Sequence, residues 1–416
     1  MRIGNKIKLL REVLDLTQAE FVNNICTTTH LSNIENHKYL PSEKFIQQLA
    51  RKHLVPDTFL STSPIPITDI EKIIQRISMN KTLESKEEFI LHTVLYEDYP
   101  TDIYIRATTI LLNYYLQRED LKKTEDIYRK SIFLQSEEIQ NKALQRYYII
   151  CGHLFFYKQN FLNAEHFYTL AKVHHQGDPL IKANIYFNLS LTKQRNNKLS
   201  ESIIYAYEAL KIFESLTDYN GVIECYIKIA VAYTKNGNYK ESMEYLNQAQ
   251  NLIVNNTSSY SIRNLSIIEN TKGILHYKTG LNQKALLHFH KSLSLKDEAN
   301  LDKNKLYTYK TLAEFYIKNA DFKKASFYLN VADEQLSTYH LPHLSFEFEG
   351  IKCTYYKAIG DLSTYEKNIK TLITLTSDHL VYDLHQKYSI ELANYLFENK
   401  KYKNAAKLYN SSYSGF

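Results

Sequence analysis

From about residue 100 to the end the chain repeats itself roughly every forty residues, and this self-similarity constrains the fold more than any other feature. Aligning the copies places a mostly small residue at Leu112, Gly152, Ser190, Ala230, Gly273, Ala313, Cys353 and Ala393, with successive copies 38 to 43 residues apart. Twelve residues after each comes a second such position: Thr124, Ala164, Ser202, Ser242, Ala285, Ala325, Tyr365 and Ala405. Four residues further on stands a mostly bulky one: Tyr128, Tyr168, Ala206, Leu246, Phe289, Leu329, Ile369 and Tyr409. A repeat of this length holds one supersecondary unit that cannot bury its apolar face alone. Two antiparallel helices approach closely only where each offers a small side chain at the crossing, and neighbouring pairs then stack around a continuous core. Eight helix pairs over residues 101–416 follow. Leu112 and Tyr365 break the small-residue rule and mark the first and seventh copies as variants.

Composition agrees with an all-α chain. Only 10 Gly and 7 Pro punctuate 416 residues, which favours helix. Tyr occurs 35 times and Trp not at all; an aromatic stripe (Tyr115, Phe155, Tyr233, Tyr316, Tyr356) recurs at helical spacing and reads as packing between helices rather than a stacking surface for a ligand. Cys26, Cys151, Cys225 and Cys353 are scattered without a C-x-x-C pair, as expected of reduced, buried thiols. No signal-peptide pattern follows Met1 and no run of about 18 apolar residues occurs, so the expectation is a cytoplasmic protein without membrane contact. The net charge of +6 is mild. Over residues 1–60 eight Lys/Arg face six Asp/Glu, a balance that permits nucleic-acid binding without arguing for it.

Those first sixty residues have another rhythm. Ile3, Ile7, Leu10 and Leu14 recur at three- and four-residue steps and define a first helix with one buried face. Thr17, with Glu20 three residues on, forms a capping box opening a second helix whose buried face is Phe21, Val22 and Ile25. Thr27-Thr28-Thr29 opens a third, with Leu31 and Ile34 inward, and Pro41-Ser42 a fourth, with Phe45, Ile46, Leu49 and Ala50 inward. Short helices joined by a tight turn are the geometry of a helix-turn-helix domain. Ile7-x-x-x-Arg11, Leu16-Thr17-Gln18-x-x-Phe21, Leu31-Ser32-x-Ile34-Glu35 and Pro41-Ser42 resemble the Cro/C1-type (XRE) helix-turn-helix family over roughly residues 3–58.

The resemblance implies binding to a double-stranded DNA operator with the third helix in the major groove. Gln18 matches the family's phosphate- or base-contacting glutamine. Thr28, Thr29 and Asn33 lie on the exposed face of the third helix, where short polar side chains reach base edges or phosphates, and Asn36, His37 and Lys38 follow within reach of the DNA backbone. Arg11 and Glu35 read instead as an internal salt bridge, since a glutamate repels phosphate. Where the family has Gly after the Ile-Glu pair this chain has Asn36-His37; Asn tolerates the left-handed conformation a helix C-cap needs.

The domain reading is therefore a helix-turn-helix domain over 1–60, a Pro-rich linker over 61–68 carrying Pro64 and Pro66, connecting helices over 69–100, and the repeat array over 101–416. The array resembles tetratricopeptide repeats most clearly at Tyr233–Ser242 and Tyr316–Ala325, although its period exceeds the usual ~34 residues; the resemblance implies a right-handed α-solenoid with a concave face. A Cro/C1-type head on such an array is similar to the RRNPP family of peptide-pheromone receptors, in particular the PlcR and NprR type. That likeness implies a quorum-sensing transcription regulator, a homodimer or higher oligomer, whose DNA binding responds to a short signalling peptide on the concave face.

An extended peptide presents unpaired amides and carbonyls, best met by Asn or Gln, while charged groups call for Arg, Lys, His or Glu. Carrying over positions 2, 5, 9 and 12 of each first helix nominates Asn113, Arg146, His153, Asn184, Gln194, Thr234, Asn270, Lys310 and Glu314, with Asn188 one position off the groove. No Gly-rich phosphate loop, nucleophile motif or metal spacing occurs. His174-His175, His288-x-His290 and His340-x-x-His343 read as surface pairs, so neither cofactor, metal nor catalysis is expected. A competing reading is a protein-binding module: the NprR likeness implies binding a response regulator of the sporulation phosphorelay and promoting its dephosphorylation, alone or alongside DNA binding.

Overall fold

The computed structural model describes residues 1–60, 64–79, 82–135, 143–175, 177–255, 261–339, 341–378 and 381–413; Ser61–Ser63 of the expected linker and the pair His340-x-x-His343 fall outside what is described. Every regular element among the described residues is helical. The chain divides into two compact units, Met1–Leu154 with Val173–Gln176, and Phe155–Lys172 with Gly177–Phe416.

The first unit opens with α1 (Ile3–Val13), α2 (Gln18–Val22), α3 (Thr28–Glu35) and α4 (Glu43–Lys52). Side chains set the boundaries. Thr17 accepts from the Glu20 amide while the Glu20 carboxylate accepts from the Thr17 amide, the reciprocal box expected. Thr27 caps α3 and Ser42 caps α4 in the same manner. The C-terminus of α2 is closed from a distance: Lys52 Nζ donates to the carbonyls of Glu20, Phe21 and Asn23 at 2.9, 3.1 and 3.0 Å. Leu10, Phe21, Leu31 and Leu49 are fully buried where the four helices meet. Gly4 is required by packing, since a Cβ there would lie 2.2 Å from the Ile34 carbonyl oxygen. At the end of α3 the left-handed residue is His37 (φ 61), and not Asn36, whose φ is −91; the turn comes one residue later than the family pattern suggested.

The head is not freely tethered. Lys6, fully buried on α1, pairs with Glu97 at 2.9 Å, and the amino group of Met1 reaches the same carboxylate at 3.2 Å. Helix α5 (Ile67–Ser78) begins inside the segment expected to be linker, and α6 (Ser85–Val94) is buried from Glu87 to Val94. Helices α7 (Thr101–Gln117), α8 (Leu121–Lys130) and α9 (Leu144–Tyr157) follow.

The second unit contains α10 (Phe161–Val173), α11 (Pro179–Arg195), α12 (Leu199–Ser215), α13 (Tyr219–Asn236), α14 (Tyr239–Asn255), α15 (Ser261–Lys278), α16 (Asn282–Glu298), α17 (Asp302–Lys318), α18 (Phe322–Tyr339), α19 (Pro342–Ala358), α20 (Leu362–Asp378), α21 (Tyr382–Glu398) and α22 (Tyr402–Tyr413). Helices α11 to α22 pair in succession as the sequence period requires, α7 pairs with α8 in the first unit, and all sixteen crossing positions are buried. Two crossings are bonded as well as packed: Ser202 Oγ donates to the Ser190 carbonyl at 2.8 Å, and Ser242 Oγ to that of Ala230 at 2.8 Å. At the fifth pair a Cβ on Gly273 would sit 2.4 Å from the Phe289 ring, so the small residue is set by the bulky one sixteen positions on. The aromatic stripe is structural in several copies: Phe155 stacks on Phe167, Tyr233 on Tyr245 and Tyr316 on Tyr328, each pair twelve residues apart.

Each pair turns through one left-handed residue seven positions after its first crossing residue: Glu119, Gln159, Asn197, Gly237, Gly280, Ala320, Gly360 and Lys400, with φ between 57 and 84. Only three are glycines, the residue that adopts this conformation without strain.

Candidate functional site

Two surfaces are candidates: the exposed side of α3 in the first unit and cavities along the first helices of the pairs. On the head, Arg11 grips Glu35 with both ends of its guanidinium, Nε to Oε1 at 2.7 Å and Nη2 to Oε2 at 3.1 Å. Gln18 Nε2 donates to Glu35 Oε2 at 2.8 Å. The glutamate thus orients Gln18, and the three side chains lock α1, α2 and α3 together. Thr28, Thr29, Asn36, His37 and Lys38 are exposed and Asn33 is half-buried. Asn36 turns back on its own helix, donating to the Ser32 carbonyl at 2.8 Å.

In the first unit a cavity of about 1040 Å³ opens beside α5, α7 and α9, lined by Asp102, Arg106, Asn113, Gln117, Arg118 and Arg146 among others. It brings together Asn113 and Arg146 of the nominated residues. His153, from the last turns of α9, is not among its lining residues; burial pushes its pKa below the ordinary histidine value.

A second cavity, about 560 Å³, lies between α15, α17 and α19 in the second unit and brings together Asn270, Lys310 and Glu314. Asn270 Oδ1 is buried there with no hydrogen-bond partner among the described residues. Burial raises the pKa of Glu314, with Glu347 adding to the effect and Lys310 opposing it. Lys310 Nζ pairs with Glu347 Oε2 at 2.5 Å.

The other nominated residues do not join these cavities. Asn184 is exposed on α11 and Asn188 half-buried. Gln194 Nε2 donates to the Lys228 carbonyl at 3.4 Å. Thr234 is buried at its helix crossing, bonded to the Ala230 carbonyl at 3.0 Å and to Ser242 Oγ at 2.7 Å. Gln194 and Thr234 both stand four residues after their crossing positions; Lys278 and Lys318, five residues after theirs, line the second cavity. The equivalent four-residue positions, Tyr277 and Ile317, line that cavity too, so both registers reach the wall at the last turn of these helices. Tyr307, also in the cavity wall, is neither an amide nor a charged side chain, the two kinds the sequence reading sought.

The paired histidines are engaged internally. His174 packs on Tyr148 with ring centroids 5.3 Å apart, His175 meets Gln145 at 2.5 Å, and His288 meets Glu269 at 2.6 Å. Among the described residues no group of three His, Cys, Asp or Glu is placed to hold a metal ion, and no helix is long and apolar enough to cross a membrane. Cys151, Cys225 and Cys353 are buried and Cys26 half-buried, all as free thiols.

Known proteins place this architecture. A tetratricopeptide repeat family model matches residues 182–252, the stretch from α11 into α14. The transcriptional activator NprA of Geobacillus stearothermophilus is 24% identical over 423 aligned positions, covering 94% of this chain and 97% of that one. The structure of NprR in complex with its cognate peptide NprX aligns with a TM-score of 0.57 at 17% identity, covering 83% of this chain and 96% of that one. The chain is thus similar to NprA along nearly its whole length and shares the helical-repeat fold of NprR. A Rap protein complexed with Competence and Sporulation Factor shares that fold, with a TM-score of 0.55 at 15% identity over 83% of this chain and 95% of the other. The NprA likeness spans the head as well as the array, so both of the surfaces described above lie within the aligned stretch.

Proposed function

We propose that this chain is a transcriptional regulator whose DNA binding is controlled by a short signalling peptide held against the first helices of its repeats. One observation carries the reading: the same chain presents an exposed α3 on a braced helix-turn-helix head and a cavity containing a buried acceptor, Asn270 Oδ1, with nothing among the described residues to accept from. A buried unpaired acceptor is a standing penalty of about 1–3 kcal/mol, and an extended peptide's backbone N–H relieves it. The similarity to an activator along nearly the whole chain supports the DNA half, and the likeness to receptor structures solved with peptides supports the other. In this reading Thr28, Thr29, Asn33 and Gln18 meet the groove, Asn36, His37 and Lys38 the phosphates, and the protein works as a homodimer on paired half-sites, without catalysis, in the cytoplasm.

The test is selection of operator DNA from a random pool by the full-length protein, repeated with Thr28→Asp/Thr29→Asp. Both threonines are exposed, so the fold is kept while two charges are set against the phosphates. Enrichment of a two-fold symmetric sequence by the parent, and its loss in the variant, is the expected result; equal enrichment by both removes α3 from the interface. Deleting residues 1–60 is a poorer test, since it strips Glu97 of both buried partners.

The likeness to a Rap protein favours a second activity on the same array, capture of a phosphorelay response regulator. The double-Asp variant separates the two, because it removes DNA binding and leaves the array unchanged.

A further inference from the structure

Four successive first helices place a basic residue at one register, five positions after the crossing residue: Arg195 on α11, Lys235 on α13, Lys278 on α15 and Lys318 on α17. Cations at helix C-termini are favoured by the macrodipole, and that alone would explain four unrelated surface charges. These four are not unrelated. Arg195 Nη1 reaches Glu347 Oε1 on α19 at 3.3 Å, across 152 residues of sequence. The layer of first helices in the second unit therefore curls until its α11 and α19 come within side-chain reach. The other Glu347 oxygen is held by Lys310. The field of Arg195 and Lys310 lowers the pKa of Lys235, whose burial is the larger cause. Two turns earlier on α13, Lys228 is pushed down to about 8, first by burial and then, against the pull of Glu224, by Arg195 and Arg263. Cations thus press on one another along this wall, with Glu224 and Glu314 among them, and Glu347 bridges two of them, Arg195 and Lys310.

We infer that this basic ladder is the subsite for a ligand carboxylate, and that Glu347 occupies it as an internal stand-in when no ligand is bound. The inference rests on the peptide-receptor reading and sharpens it: the peptide is anionic, through an acidic side chain or its free C-terminus. Its carboxylate takes over Arg195 and Lys310 while its backbone supplies a donor to Asn270, which lines the same cavity as Lys310, Lys278 and Lys318. An exchange of one carboxylate for another keeps Arg195 and Lys310 paired, so it carries little electrostatic penalty, and the added backbone bond favours the ligand. A neutral peptide makes the exchange poorly, because displacing Glu347 takes from Arg195 and Lys310 the carboxylate they share.

The test is affinity selection with the full-length protein and two synthetic heptapeptide pools. One pool has free C-termini and one Asp per peptide. The other is amidated, with Asn in place of Asp. Retained peptides are counted by mass spectrometry for the parent, Glu347→Gln and Lys235→Gln, each first checked for parental helicity and melting. Preferential retention of the acidic pool is expected, rising about three- to tenfold in Glu347→Gln as the internal competitor is removed, and falling about threefold or more in Lys235→Gln. Equal retention of both pools overturns carboxylate recognition while leaving the peptide-receptor reading standing. An acidic preference unmoved by either substitution overturns the placement at the ladder. Retention from neither pool overturns both the inference and the reading beneath it.

Discussion

The eight left-handed turn residues offer a sharp test of the repeat geometry, because the same backbone conformation is filled by six different residue types. Ala320 sits at φ 58, exposed, between α17 and α18; Gly280 sits at φ 80 in the equivalent turn of the preceding pair, with open space around any added Cβ. Neither position makes packing contacts that a substitution would disturb, so only the backbone term remains. A residue with a Cβ is strained in the left-handed region by roughly 1–2 kcal/mol. Glycine's wider freedom in the unfolded chain gives back about 0.4–1 kcal/mol. Ala320→Gly should therefore stabilise the α17–α18 pair by about 0.5–1 kcal/mol, and Gly280→Ala should destabilise α15–α16 by a similar amount. Asn197→Gly should change less, since Asn visits this conformation readily. A stacked array opens locally, so amide hydrogen exchange resolved to each pair is the proper assay. Ala320→Gly should slow exchange in α17 and α18 by about two- to fivefold, and Gly280→Ala should speed it in α15 and α16 by as much. Faster exchange in Ala320→Gly would refute the reasoning, because relief of φ strain has only one sign.

Other substitutions test the remaining interactions. Glu35→Ala leaves the Arg11 guanidinium and the Gln18 amide without their buried acceptor and should destabilise the head by about 3 kcal/mol, read by urea titration; a loss below 1 kcal/mol would show that the three helices do not depend on this knot. Gly273→Ala forces a methyl to within 2.4 Å of the buried Phe289 ring and should cost about 1–3 kcal/mol, with Phe289→Leu restoring part of it through the coupling expected of touching residues. His92 is buried against the Tyr115 hydroxyl at 2.8 Å, and its pKa falls to about 4, first from burial and then from the charges of Lys130 and Lys123. Its neutral form is the one the fold accepts, so its contribution is complete above the unfolded value near 6.5 and is lost as pH falls through 4. The loss amounts to about 3 kcal/mol, and His92→Gln should flatten the acid limb of a melting-temperature profile between those values.

What the sequence disclosed divides along physical lines. Crossing residues were legible because close helix approach demands small side chains at a fixed spacing, and the Ser190–Ser202 and Ala230–Ser242 contacts lie where that spacing put them. The Arg11–Glu35 pair was legible from charge logic and family pattern together. The left-handed turns were not, because five of the eight positions hold ordinary residues whose strain the surrounding packing overrides. Gln194 and Thr234 share the register of the cavity-lining Tyr277 and Ile317, yet their side chains are engaged with the Lys228 carbonyl and with Ser242, which a position in a repeat does not encode. Lys6 stands among exposed lysines in sequence; its burial depends on Glu97, ninety residues away, and no local pattern encodes such a partner. The same holds for Arg195 and Glu347, whose meeting is set by curvature accumulated over several helix pairs.

That curvature bears on how firmly the array is held. Arg195 and Glu347 keep 41% and 20% of their side-chain surface exposed, and ion pairs so exposed contribute only about 0.2–1 kcal/mol. A pin of that strength biases the closed arrangement of α11 and α19 by no more than about fivefold, too little to lock it. A ligand carboxylate can then displace Glu347 without first overcoming a strong internal bond. By the same arithmetic the pin cannot be the switch, since moving an equilibrium from one state to the other takes about 5 kcal/mol of differential affinity. On the proposed reading the switching energy comes from the many contacts a peptide makes along successive first helices, and Glu347 selects among peptides rather than driving the change.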